Sequence, residues 1–250
     1  MPLTIFTIGL LFTIIFHETA HWLAMRRLDI EIEEVGIGYP VKFLPSWKFK
    51  IGKFPALVIS PLLIGAYVKP TEEGERKLNN LSYKDKASIY GAGVVANLVF
   101  AAMITMIIGI FTGHLSKIGY LFIALPIVIL FFRDFFCRYI IPLLGAIILF
   151  LIPAGLFLGW FQLIGPIETF REAGNMDWLQ SLTFLIVISF SLAVMNILPL
   201  TPLDGGLIAK ELIKKRIGDE YSVKISKIST AFFYCFITFV IISDIIKLFK

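Results

Sequence analysis

The chain has 250 residues, 58% of them hydrophobic, and a mean hydropathy of +0.86. Soluble domains use apolar residues at about half of their positions, so the composition excludes that class and indicates an integral membrane protein. The formal charge of +5 does not indicate a nucleic-acid partner, because the basic residues cluster beside apolar runs, where membrane topology accounts for them.

The first element is an apolar run from Leu3 to Arg26. It lacks a basic leader and a small-residue cleavage site and exceeds the apolar length of a signal peptide, so it reads as a retained helix. With about 20 apolar residues per crossing, six spans are expected: 3–24, 87–112, 118–132, 139–160, 179–200 and 228–248. Between the third and fourth, "FFRDFFCRY" reads as a tight interfacial turn holding Arg133, Asp134 and Arg138. Cys137 and Cys235 lie far apart in apolar runs and support neither a disulfide nor a thiolate metal cluster.

Inside the first run stands "FHETAH", residues 16–21. On a helix His17 and His21 share one face, so both imidazoles reach a single metal ion while Glu18 lies beside the bound water. A chance H-E-x-x-H in such a chain is on the order of one in a thousand. The competing reading is a hydrogen-bonded polar pair that stabilises helix contacts, but ionisable groups at membrane depth are costly and usually functional.

Between the first two spans, "LDIEIEEVGIGY" and "WKFKIGK" alternate apolar and charged residues: Ile30 and Ile32 with Glu31 and Glu33, then Trp47, Phe49 and Ile51 with Lys48 and Lys50. Period two is the mark of half-buried strands, and Gly36, Gly38, Pro40 and Pro45 punctuate them. A small membrane-associated sheet or hairpin over residues 29–69 is expected. Its open edge suits addition of an extended substrate strand; a purely structural plug is the alternative.

Lys and Arg near span ends set the orientation. Lys48, Lys50, Lys53, Lys84 and Lys86 follow the first span, and Lys210, Lys214, Lys215, Arg216, Lys224 and Lys227 follow the fifth, whereas 161–178 holds only Arg171 against three acids. Both basic segments therefore belong in the cytoplasm, with the N-terminus outside. The inner ends of spans one and five share a side.

A catalytic zinc takes three protein ligands and leaves one position open. His114 falls on the predicted outer loop, on the wrong side. In "NILPLTPLDGG", residues 196–206, Asp204 follows a Pro-broken helix end at the correct level and precedes two glycines that permit close backbone approach. Its other reading is a helix N-cap; position, charge and side together favour the ligand.

These blocks, in this order, resemble the site-2 proteases, the intramembrane zinc metalloproteases of peptidase family M50. "HETAH" matches the family's H-E-x-x-H, "PLLIGAYVKP" (61–70) resembles its glycine-tyrosine-valine-lysine stretch, "GAGVVANLVF" (91–100) its G-x-x-x-N, "GPIETF" (165–170) a Gly-Pro segment, and "NILPLTPLDGG" its N-x-x-P…L-D-G motif. G-x-x-x-N taken alone is weak and equally marks helix packing. The resemblance implies zinc held by His17, His21 and Asp204, one ion per chain, with Glu18 as general base. It also implies Asn196 as a residue that holds or unwinds substrate, and transmembrane segments of other proteins as substrates. Pro202 stands one position later than in the family pattern, and six spans with short loops leave room for neither a PDZ nor a CBS domain.

The expectation is thus an all-α polytopic membrane protein, one domain over 1–250, in a prokaryotic cell membrane, with its active site near the cytoplasmic face. Three rivals remain. A metal transporter needs His, Asp or Glu at the midplane of several helices. A CAAX-type zincin takes its third ligand from a downstream Glu. An inactive scaffold would not need the intact His, Glu and Asp set.

Overall fold

The computed structural model describes residues 2–39, 44–50, 52, 54–115, 117–157 and 165–249. Pro40, Ile51, Lys53 and the end of the expected fourth span at 158–160 lie outside the described residues.

Helix α1 (Pro2–Arg26) leads into four strands, β1 (Ile32–Tyr39), β2 (Trp47–Phe49), β3 (Ala56–Ile59) and β4 (Leu62–Pro70). They form one sheet in the order β2-β3-β1-β4, with β1 parallel to β3 and antiparallel to β4. Two strands were expected and the described residues form four. The extra pair comes from "ALVI" and "LLIGAYVKP", whose runs do not alternate and so lack the period-two signal. The two expected strands do not pair with each other; β3 separates them. Trp47 and Phe49 are exposed, 53% and 49%, rather than covered. Ile30 is buried but precedes the strand.

The helices that follow are α2 (Glu72–Asn80), α3 (Tyr83–Thr112), α4 (Lys117–Phe131), the short α5 (Arg133–Phe135), a π-helical turn (Phe136–Ile140), α6 (Ile141–Phe157), α7 (Pro166–Gly174), α8 (Trp178–Ile197), α9 (Asp204–Arg216) and α10 (Asp219–Leu248). The segment expected as a tight turn is therefore helical. Arg133 donates to the Ser88 carbonyl at 3.0 Å, and Asp134 pairs with Lys84 and Arg138. Helix α10 begins nine residues before the apolar run, because its polar first turns are helical too, with Lys224 and Glu220 paired one turn apart at 2.7 Å.

Among the described residues four helices, α1, α3, α8 and α10, are long and apolar enough to cross a bilayer. The α4–α6 segment, bent by 86°, makes five if counted as one span, against the six expected. Helix α4 has 15 residues, about 22 Å at 1.5 Å per residue, which falls short of a hydrocarbon core of about 30 Å.

The helices' directions follow from their contacts. Phe6 stacks on Phe184 at 5.3 Å, near the starts of α1 and α8, while His17 and His21 meet Asp204 just past the end of α8. Helices α1 and α8 therefore run parallel. Helix α3 runs against both: Ile89 and Gly93 near its start meet the histidines, and Ala101 and Ile104 share a buried cluster with Phe6. The chain thus returns, between α3 and α8, to the end of the bundle it left.

Helix α3 is the hub. Its small residues Ala87, Gly91, Gly93 and Ala101 are buried and let neighbouring helices approach closely. Cys137 packs on Gly91, and Leu185 of α8 packs on Gly9 of α1.

Candidate metal centre

His17 and His21 lie one turn apart on α1, and their Nε2 atoms are 3.1 Å from each other. The Nδ1–H of His21 donates to the backbone carbonyl of Ile89 at 2.9 Å. A carbonyl only accepts, so this bond fixes the proton on Nδ1 and turns the Nε2 lone pair toward His17. Asp204 completes the group, with Oδ2 3.4 Å from His17 Nε2 and Oδ1 3.3 Å from His21 Nε2.

The donor set fits a zinc ion. Tetrahedral zinc with bonds of about 2.0–2.1 Å requires ligand atoms about 3.3–3.4 Å apart, close to the three separations found. Asp204 Oδ2 and His17 Nδ1 are buried without a hydrogen-bond partner among the described residues. A buried carboxylate facing two imidazoles is costly unless a cation lies among them. The space is kept open by Gly93 of α3, where a Cβ would stand 2.5 Å from the Nε2 atoms of both histidines.

Local structure explains how Asp204 reaches the site. It is the first residue of α9, capped by Leu203 without a side-chain bond, so its carboxylate serves the histidines and not as an N-cap. The helix N-terminus favours that negative charge. Gly205 and Gly206 let α9 start against the backbone of the preceding loop; a Cβ on Gly205 would stand 2.7 Å from the Leu198 oxygen. Thr201 ties the loop to α10: its amide donates to Ser229 Oγ at 2.9 Å, and its hydroxyl donates to the Ser226 carbonyl at 2.7 Å. Farther along α9, Glu211 meets the buried Lys86 of α3 at 2.9 Å.

The model of peptidase family M50 matches residues 5–240. The chain belongs to peptidase family M50. Among relatives of this M50 chain, a Clostridium acetobutylicum protein with a zinc-metalloprotease name is 33% identical over 105 residues, 40% of this chain and 30% of the relative. A Fusobacterium nucleatum protein with the same kind of name is 27% identical over 95 residues, 36% of this chain and 28% of the relative. The Regulator of sigma-E protease of Escherichia coli is 33% identical over 106 residues, 39% of this chain and 22% of the relative. The matched regions thus span less than a third of each relative's length.

In this M50 chain the expected residues fall as follows. His17, His21 and Asp204 come together, their ligand atoms within 4.8 Å of one another. Glu18 is half-buried, within electrostatic reach of His21 and Asp204. Asn196 is half-buried in the last turn of α8, on the chain leading to Asp204. His114 is exposed, just beyond the far end of α3.

Two residues of the site were missed. Gly93 and Asn97 are the ends of the G-x-x-x-N pattern, which otherwise reads as helix packing. Gly93 leaves room between the imidazoles, and Asn97, 1% exposed, stands beside His17 with its Oδ1 unpartnered among the described residues. The signal was the motif itself, one helical turn long.

Proposed function

We propose that the chain is an intramembrane zinc endopeptidase of the site-2 type that cleaves transmembrane segments of other proteins. The observation that carries this reading is the convergence of His17, His21 and Asp204 from two helices far apart in sequence, beside Glu18. His17, His21 and Asp204 would hold one zinc ion per chain. Bound there, zinc supplies Lewis acidity toward the scissile carbonyl and makes water a stronger nucleophile.

The chain's own residues do the rest. Glu18 takes a proton from the attacking water as its oxygen bonds to the carbonyl carbon. It passes that proton to the amide nitrogen as the C–N bond breaks. Asn196 holds the substrate backbone by its side-chain amide. The substrate must be extended there, since a helix shields its carbonyls. Strand β4, an edge of the sheet, offers unpaired backbone groups for an extended segment.

The parallel course of α1 and α8 supports an even number of crossings between α3 and α8, so that the bent α4–α6 pair contributes none or two. With both basic segments inside, the metal centre then lies toward the cytoplasmic face of a prokaryotic cell membrane. A transporter would need further ligand groups along the helices, and among the described residues one cluster of three or more His, Cys, Asp or Glu has metal-binding geometry.

The test is zinc content and cleavage of a model transmembrane substrate by purified wild type and Glu18→Gln in detergent. Near-stoichiometric zinc in both, with cleavage by wild type alone, is expected. Equal cleavage by both, or absence of zinc under non-chelating conditions, overturns the reading.

A further inference from the structure

The same end of the molecule that carries the metal centre holds a second concave site, a cavity of about 410 Å³. Its walls include Tyr83 and Lys84 at the start of α3, Arg138 and Tyr139 of the π-helical turn, and Lys215 and Arg216 in the last turn of α9. Four of these six side chains are cationic. A single carboxylate, Asp134, serves both Lys84 and Arg138, at 3.3 Å each. Neither Lys215 nor Arg216 forms an ion pair among the described residues. The Lys215 ammonium instead lies 5.7 Å from the centre of the Tyr83 ring. Arg138 Nε is buried and has no hydrogen-bond partner among the described residues. Converging cations repel one another, and a concave wall concentrates their field, so the site favours an anion.

The surroundings say which anion. The Tyr83 hydroxyl donates to the Arg138 carbonyl at 3.0 Å, fixing the wall at the end of α3 where the chain enters the bundle. From the cavity rim an apolar surface runs outward along α6: Tyr139 is 58% exposed, and Leu143, Ile147 and Leu151 follow it, exposed as well. A polar mouth with tyrosines at its rim, continued by an apolar track, is the environment of a headgroup and its chains at a bilayer interface. Free phosphate would use the cations but not the track.

We propose that this cavity binds the phosphate of an anionic phospholipid headgroup in the inner leaflet, with the acyl chains along α6. The proposal rests on the chain being a membrane protein and is independent of whether it hydrolyses peptides. Headgroup contacts would join α9, which begins at Asp204, to α3 and the π-helical turn.

The test uses the full chain in detergent and native mass spectrometry, with phosphatidylglycerol and phosphatidylcholine as probes and inorganic phosphate as competitor. Wild type should retain phosphatidylglycerol in preference to phosphatidylcholine. Arg138→Gln/Lys215→Gln/Arg216→Gln should weaken that binding by at least about tenfold, and Lys48→Gln/Lys50→Gln/Lys77→Gln, which removes equal charge elsewhere, should not. Should the Arg138 variant fail to fold, Lys215→Gln/Arg216→Gln carries the same expectation, since both side chains are exposed. Equal retention of the two lipids by wild type, or undiminished phosphatidylglycerol binding in the variants, overturns the proposal. Displacement of the lipid by millimolar inorganic phosphate, which then binds with the same dependence on these residues, assigns the site to free phosphate and overturns the lipid.

Discussion

Helices α3 and α10 each have 30 residues, and both are apolar enough to cross a bilayer. Half of the most apolar stretch of α3 is buried inside the protein, against 11% for α10. Hydropathy sends both helices to the membrane and cannot rank them. Side-chain size can: α3 presents Ala87, Gly91, Gly93 and Ala101 to its neighbours, whereas α10 turns Phe232, Tyr234, Phe239 and Ile242 outward. A close-packed helix can define a metal centre to a fraction of an ångström. Helix α10 is held by the Thr201 hydrogen bonds to Ser226 and Ser229 in its first half and by Asp244 near its end. The geometry of the candidate metal centre belongs to the first kind of helix.

The largest effect should come from filling the gap that α3 leaves. Gly93→Val would place carbon where the imidazole nitrogens converge, and zinc affinity should fall by more than about 100-fold, beyond the usual effect of changes outside the ligand set. Competition with a zinc chelator measures it. Unchanged affinity would mean that α3 does not shape the centre.

Next is the tie between α3 and α9. Lys86→Met leaves Glu211 without its partner, at a cost of about 3 kcal/mol. The double variant Lys86→Met/Glu211→Met should recover most of that. Unfolding in mixed micelles, compared across wild type, single and double variants, decides whether the pair is coupled.

On α10 the corresponding change is Asp244→Ala. The Asp244 carboxylate accepts the amides of Gly165 and Ile167 at 3.1 Å and of Glu168 at 3.3 Å, so its loss leaves the start of α7 uncapped, at about 2 kcal/mol. Hydrogen exchange should quicken at those three amides and leave α3 unchanged. Equal acceleration in α3 would erase the contrast between the two helices.

The smallest effect lies on the sheet. A hydrogen bond from Lys48 holds the Glu34 carboxyl below the usual carboxylate range, helped by Tyr67 against the cost of burial. Because the folded pKa is depressed, the stabilisation is present above the unfolded value and is lost as pH falls through the folded one. It should amount to less than about 1 kcal/mol. Exchange at β1 amides, followed from pH 6 to pH 3, should lose its acid-sensitive part in Glu34→Gln.

Much of the candidate centre was legible because its chemistry is local. His17, Glu18 and His21 share one helical turn, and Asp204 is marked by the glycines that follow it. The role of Gly93 was hidden, since a glycine beside alanines looks the same whether it admits a helix or an ion. In the sheet, the charge alternation around Glu31 and Glu33 announced β1, but the continuous apolar runs of β3 and β4 resemble a helix segment as much as a strand. The 86° turn within the α4–α6 pair was not legible, because hydropathy counts apolar residues and does not see the direction the chain takes between two runs.

The most direct test of the central claim is X-ray absorption at the zinc edge of the purified wild-type chain. Two imidazoles with oxygen donors, all at about 2.0–2.1 Å and with no sulfur, are predicted by His17, His21 and Asp204. Absence of bound zinc, or a shell with fewer than two imidazoles, would contradict the account.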